Sequence, residues 1–147
     1  MESFKQEWEA QFKVFQAVAE KESIPEKKIL TYIKETLDYY EKVVIEHRIP
    51  VKALIETRNM YRSFVNQINH GGIKFYVDCI KKGQSSGHFK NNIEIEKVAY
   101  SMSLIKFSIQ YDQLSIFIHS YPTEEDWVSI REQILFATQL ILNGIKK

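Results

Sequence analysis

The chain's 147 residues suffice for one domain that buries a continuous core without disulfides or metals. Lysine and arginine nearly balance aspartate and glutamate, leaving a formal charge of +1, so there is no uniform field to draw a polyanion, which argues against stand-alone nucleic-acid binding. The single cysteine, Cys79, excludes an internal disulfide, Met1-Glu2-Ser3-Phe4 lacks the features of a signal peptide, and no apolar run reaches the length of a membrane span; a cytoplasmic protein without a membrane partner is expected.

Glycine and proline are scarce and punctuate the sequence, as short connections between long helices do, and no strand alternation or repeat interrupts the pattern. The fold class expected is all-α, a bundle of about six helices. The first helix runs from about Glu2 to Glu22, with Phe4, Trp8, Phe12, Phe15 and Ala19 on one face. It begins without a capping residue, so it reads as the continuation of an element from a longer protein. Ser23-Ile24-Pro25 offers a cap and a first-turn proline for a second helix reaching about Arg48. Ile29, Ile33, Leu37, Tyr40 and Val44 form its buried stripe, while Glu26, Lys28, Lys34, Glu35 and Glu41 are placed in solvent.

Ile49-Pro50 ends that helix, and a third runs from Val51 to about Arg62, leading into a fourth segment that reaches about Gly83. Gly71-Gly72 within it is either a break or a close helix contact. Gly83-Gln84-Ser85-Ser86-Gly87-His88-Phe89 reads as a turn with a glycine for a left-handed cap. Asn91 and Glu94 resemble a capping box opening a long helix from about Ile93 to His119. Tyr121-Pro122 closes it, and Thr123 with Asp126 caps a last helix ending at Asn143-Gly144.

The last two helices carry apolar residues on two sides. On the long helix Ile95, Val98, Ala99, Met102, Ile105, Ile109 and Ile116 form one line, and Tyr100, Leu104, Phe107, Tyr111, Leu114 and Ile118 another. On the last helix Trp127, Ile130, Ile134, Ala137 and Ile141 are joined by Val128, Leu135 and Leu142 at heptad spacing. Terminal helices of a small domain lack the neighbours to cover both lines, so a twofold homodimer is expected, with Tyr100, Leu104, Phe107, Tyr111, Leu114, Val128, Leu135 and Leu142 in a four-helix interface. At roughly 25 cal/mol per Å² of apolar area, such an interface has ample gross driving force. A compact monomer with both lines in its own core is the other reading.

The order of elements resembles the carboxy-terminal domain of the TetR family of transcriptional regulators. The stretch Ile80-Lys81-Lys82-Gly83-Gln84-Ser85-Ser86-Gly87-His88-Phe89-Lys90-Asn91-Asn92-Ile93-Glu94 is similar to that family's helix end with two glycines, an aromatic and a polar cap into its eighth helix. Phe4-Lys5-Gln6-Glu7-Trp8 resembles the helix that links its DNA-reading head to the body. The resemblance implies a homodimer that binds DNA only through an amino-terminal head, here expected ahead of Phe4 and absent, and a small-molecule effector that shifts the first helix. Such a body binds its ligand between the first helices and the long one. Phe12, Phe15, Thr36, Tyr40, Tyr61, Phe64, Tyr76, Cys79 and Met102 are the candidates for an apolar or aromatic ligand, and simple core packing is the competing role for each. The tyrosine hydroxyls and Thr36 stand out because buried polar tips need partners.

No enzyme, cofactor or metal is expected. His47, His70, His88 and His119 are widely spaced, Glu46 and His47 point apart on a helix, and Cys79 has no base beside it in the sequence. Lys81-Lys82 and Lys146-Lys147 read as solvated helix ends. A structural or adaptor dimer that binds another protein is the alternative function.

Overall fold

The computed structural model describes the backbone of residues 2–60, 62–117 and 120–147, and the side chains of 6–56, 72–117 and 120–147. Among the described residues six helices account for nearly all the regular structure: α1 (Glu2–Ala19), α2 (Pro25–Glu46), α3 (Val51–Met60), α4 (Arg62–Ser85), α5 (Ile95–Ser115) and α6 (Glu124–Ile145). This is the all-helical class expected from the sequence, and no described helix is long and apolar enough to cross a membrane.

Helix ends follow local chemistry. After Ala19 the chain tightens through i to i−3 bonds, Lys21 N–H to the Val18 carbonyl and Glu22 N–H to the Ala19 carbonyl, so the α-geometry stops a turn earlier than periodicity suggests. Pro25 sets the start of α2, but Ile24 holds the capping position in extended geometry and Ser23 does not cap. At the other end His47 lies past Glu46, and Arg48 adopts φ 48°, a left-handed residue ahead of Pro50. The expected Asn91–Glu94 box is absent: Glu94 itself occupies the cap of α5, with no side-chain cap bond, and pairs with Lys97 at 2.8 Å. The Thr123–Asp126 box is present in full, Asp126 N–H donating to Thr123 Oγ1 at 3.2 Å and Thr123 N–H to Asp126 Oδ2 at 2.7 Å.

Between α4 and α5 the chain makes a Schellman turn. His88 N–H donates to the Gly83 carbonyl (2.8 Å) and Gly87 N–H to that of Gln84 (3.0 Å), with Gly87 at φ 78°. The following residues pin the end of the chain. Lys90 N–H donates to the Ile145 carbonyl and Lys147 N–H to that of His88, forming an antiparallel bridge of Phe89 with Lys146. The turn and the end of α6 are thereby one unit, beneath which Phe89 is fully buried.

The core is laid down by α2, which packs on α1, α4 and α6, while α5 packs on α4 and α6. Ile29, Ile33, Leu37 and Val44 of the expected α2 stripe are buried and Tyr40 is half-buried. Glu26 and Glu41, expected in solvent, are instead drawn inward by partners on α6 and its end, while Lys146, which pairs with Glu26, keeps a side chain 41% exposed. Gly71-Gly72 does not break α4; a methyl group on Gly72 would stand 3.6 Å from the Tyr32 hydroxyl.

Candidate functional site

The interior between α1, α2 and α4 is walled by aromatic rings, because each helix presents them at helical spacing to the same space. Phe12 and Phe15 lie 6.1 Å apart, Phe15 meets Tyr32 at 6.5 Å, Tyr32 stacks on Phe75 at 4.5 Å and stands edge-on to Tyr76 at 5.8 Å. Of the sequence candidates, Phe15, Tyr76, Cys79 and Met102 are buried in this core and Phe12 is half-buried against it. Burial pushes the Cys79 thiol up to about 12, with Glu20 adding to the effect, so it stays protonated and unreactive at neutral pH. Tyr61 and the Phe64 side chain lie outside the described residues.

Thr36 needs no external partner, since its Oγ1 donates to the Tyr32 carbonyl one turn back at 2.8 Å. The group without one is the Tyr32 hydroxyl, in a side chain 2% exposed, facing the bare backbone of Gly72. Burial raises its pKa, keeping it a neutral donor. Periodicity alone does not single out Tyr32, because the apolar stripe of α2 runs through its neighbours Ile29 and Ile33.

Tyr40 belongs to a second cluster, where α2 meets α6. Its ring stands edge-on to Trp127 at 5.9 Å. Burial, with the charge and hydrogen bond of Tyr111, raises its pKa against a hydrogen bond from Gln110. The Trp127 indole Nε1–H is buried and has no acceptor among the described residues. Tyr111, expected in a dimer interface, therefore meets Tyr40 within the subunit and also stacks on Phe107 at 6.3 Å. Among the described residues α2 and α5 nowhere approach backbone to backbone, so side chains alone span the space between them.

The inward face of α5 is unexpectedly polar. Ser103, Lys106 and Gln110 are buried between Ala99 and Leu114. The Lys106 ammonium lies 5.2 Å from the Phe107 ring centroid. Desolvation lowers its pKa from 10.5 to about 8. The spacing of these three polar residues was visible in the sequence, but the abundance of isoleucine and leucine around the helix drew both assigned lines away from it.

Around the interior, α2 is tied to α6. Arg131 pairs with Asp38 at 2.8 Å and with Glu41. Glu26, buried, takes Lys146 at 2.7 Å, Gln139 and, at 3.4 Å, His88. Burial works against the Glu26 carboxylate, but its hydrogen bonds from Lys146 and Gln139 and the Lys146 charge outweigh it and lower the pKa.

The expected interface residues divide into three groups. Leu114 and Leu142 are fully buried in the subunit's own core, and Phe107, Tyr111 and Leu135 are half-buried. Tyr100, Leu104 and Val128 are exposed, as are Phe136 (61%) and Leu140 (57%), which lie outside the heptad line of α6. Ile118 lies outside the described residues. A separate open groove of about 660 Å³ runs between α3 and α5, lined by Ile55, Ile109, Tyr111, Ser108, Asp112 and Ser115. Among the described residues no three His, Cys, Asp or Glu side chains gather as metal ligands would. No family model, curated protein or solved structure matches the chain.

Proposed function

We propose that this chain is the effector-binding and dimerisation body of a TetR-type transcriptional regulator, in which a small ligand held in the helical interior controls a DNA-reading head. The observation that carries the reading is the buried Tyr32 hydroxyl without a partner inside an aromatic-walled interior. An orphaned buried hydroxyl costs about 1 to 3 kcal/mol, and a ligand that accepts or donates a hydrogen bond there removes that cost. The order of six helices and the two-glycine turn into α5 support the same reading through the family resemblance. Exposed Tyr100, Leu104, Val128, Phe136 and Leu140 on α5 and α6 support a twofold partner on that side.

Ligand binding next to α1 and α2 would reset the position of α1, and with it the spacing of two heads in a dimer, through a coupling of about 1 to 3 kcal/mol. The test is a thermal-shift screen of small apolar and aromatic molecules on the purified chain, paired with mass measurement by light scattering. A saturable rise in melting temperature on a dimeric species is expected; a monomer that no small molecule stabilises overturns the reading. A structural or adaptor dimer is the second reading, favoured by the open groove between α3 and α5, and it predicts a dimer that no small molecule stabilises.

A further inference from the structure

Among the described residues Lys106 is a buried cation without a counter-ion. The residue is 8% exposed, and among the described residues its ammonium meets the face of Phe107. Asp38 and Glu41 are paired with Arg131 across α2 and α6, and Asp112, on α5 itself, lines the open groove toward α3. Residues 57–71, whose side chains are not described, contain no aspartate or glutamate at all. A buried ammonium with no anion is costly to keep. Its lowered pKa, caused by desolvation with no opposing charge, agrees with that isolation.

The surroundings fit a ligand head. Ser103 and Gln110 flank Lys106 on the same inward face of α5, each buried. Through Phe107 and Tyr111 the cluster continues to Tyr40 and to Trp127, whose indole N–H lacks an acceptor. Consecutive helices α4 and α5 pack together. Lys106 lies roughly three turns beyond the start of α5 and Gly72 roughly three to four turns before the end of α4, which sets Lys106 and the Tyr32 hydroxyl at similar depth. The cation, the unpaired Trp127 N–H and the rings of Phe107, Tyr111 and Tyr40 thus form one continuous cluster on the α6 side of α2, at the height of the Tyr32 hydroxyl.

We infer that the Lys106 ammonium anchors the anionic end of the effector, and that the effector is an amphiphilic monocarboxylate whose apolar body packs against the interior aromatic rings. This deepens the effector-binding reading and rests on it. In the bound state the carboxylate supplies the missing counter-ion and accepts the spare hydrogen bonds; without it the site carries an unpaired charge.

The test compares 4-phenylbutyrate with 4-phenyl-1-butanol, and decanoate below its micellar range with 1-decanol, as ligands of the wild-type chain and of Lys106→Met by calorimetric titration. The wild type is expected to bind each acid at least tenfold tighter than its alcohol, and Lys106→Met to lose that preference while still binding the alcohols. Without ligand, Lys106→Met is expected to melt several degrees higher at pH 7, because an unpaired buried charge is replaced by an apolar side chain of similar length. Equal binding of acid and alcohol by the wild type, or an acid preference that survives Lys106→Met, overturns the role of Lys106 and leaves the effector-binding reading standing. A Lys106→Met chain that is destabilised or unfolded shows that the cation has a structural partner, and overturns it too. If the wild type binds none of the four probes, this inference falls, and the effector-binding reading is decided by the thermal-shift screen alone.

Discussion

The ring of Phe89 occupies the space that a side chain on Gly83 would fill: a methyl group there would lie 2.3 Å from Cδ2 and 2.7 Å from Cε2. Gly83 is inside the last turn of α4, so what it contributes is room for a fully buried aromatic rather than backbone freedom. Gly83→Ala must displace Phe89 and with it the bridge to Lys146. Overpacking of this kind costs about 1 to 3 kcal/mol, and a urea midpoint unchanged from the wild type would contradict the packing described.

Gly87 and Arg48 take the same left-handed conformation at the ends of α4 and α2, with φ 78° and 48°. Ile49 N–H donates to the Val44 carbonyl and Arg48 N–H to that of Ile45, the same bond pattern as around Gly87. Only the glycine adopts it without steric cost. Arg48→Gly should therefore raise stability by up to about 1 kcal/mol and Gly87→Ala lower it by about 1 kcal/mol. Opposite signs in parallel denaturation curves are the expected result; equal signs would count against it.

Glu26 holds the end of α6 and the turn before α5 to α2 through Lys146, His88 and Gln139. Its folded pKa lies below its ordinary 4.5, so the unfolded chain takes up its proton first as the pH falls. The stabilisation is then complete above about pH 5 and is lost as the pH drops through the folded value. Glu26→Gln should cost about 1 to 2 kcal/mol at pH 7, and the gap between variant and wild type should close toward pH 3. A gap that stays constant with pH would assign the effect to packing alone.

What the sequence made legible was whatever depends on a single helix and its neighbours in the chain. The α2 stripe of Ile29, Ile33, Leu37 and Val44, the Thr123–Asp126 box and the glycine turn after α4 all follow from periodicity or from a local bond. What it hid depends on which element lies opposite. Glu26 and Glu41 read as solvent-facing because their partners, Lys146 and Arg131, are far away in sequence. Ser103, Lys106 and Gln110 fall in neither apolar line of α5, and nothing local distinguishes a buried polar stripe from an exposed one. Leu114 and Leu142 lie in the subunit's own core because a heptad line does not tell a neighbour within the subunit from one outside it.

Lys106 carries a signature in alkali. With a folded pKa near 8 against an ordinary 10.5, the unfolded chain binds the proton that the folded chain has released throughout that window. Stability therefore rises with pH across it, by up to about 3 kcal/mol. Buried tyrosines, whose pKa values are raised, pull stability down from about pH 10 upward in wild type and variant alike. The difference between wild type and Lys106→Met isolates the lysine, and it should shrink steadily between pH 7.5 and pH 10 in urea titrations. Parallel curves would place the ammonium in contact with water or an anion.

The exposed apolar residues of α5 and α6 are where the proposed dimer is tested. Leu104 and Phe136 are 47% and 61% exposed, so a charge at either position leaves the folded core untouched. In a twofold face built from both helices each substitution is felt twice, and two carboxylates brought into an apolar interface without partners cost several kcal/mol. Leu104→Glu with Phe136→Glu should keep the helical circular dichroism spectrum and the monomer's unfolding midpoint while shifting light-scattering mass from dimer to monomer. A double variant that remains dimeric would move the interface elsewhere, to the open groove between α3 and α5, where Ile55 and Ile109 offer the next apolar surface.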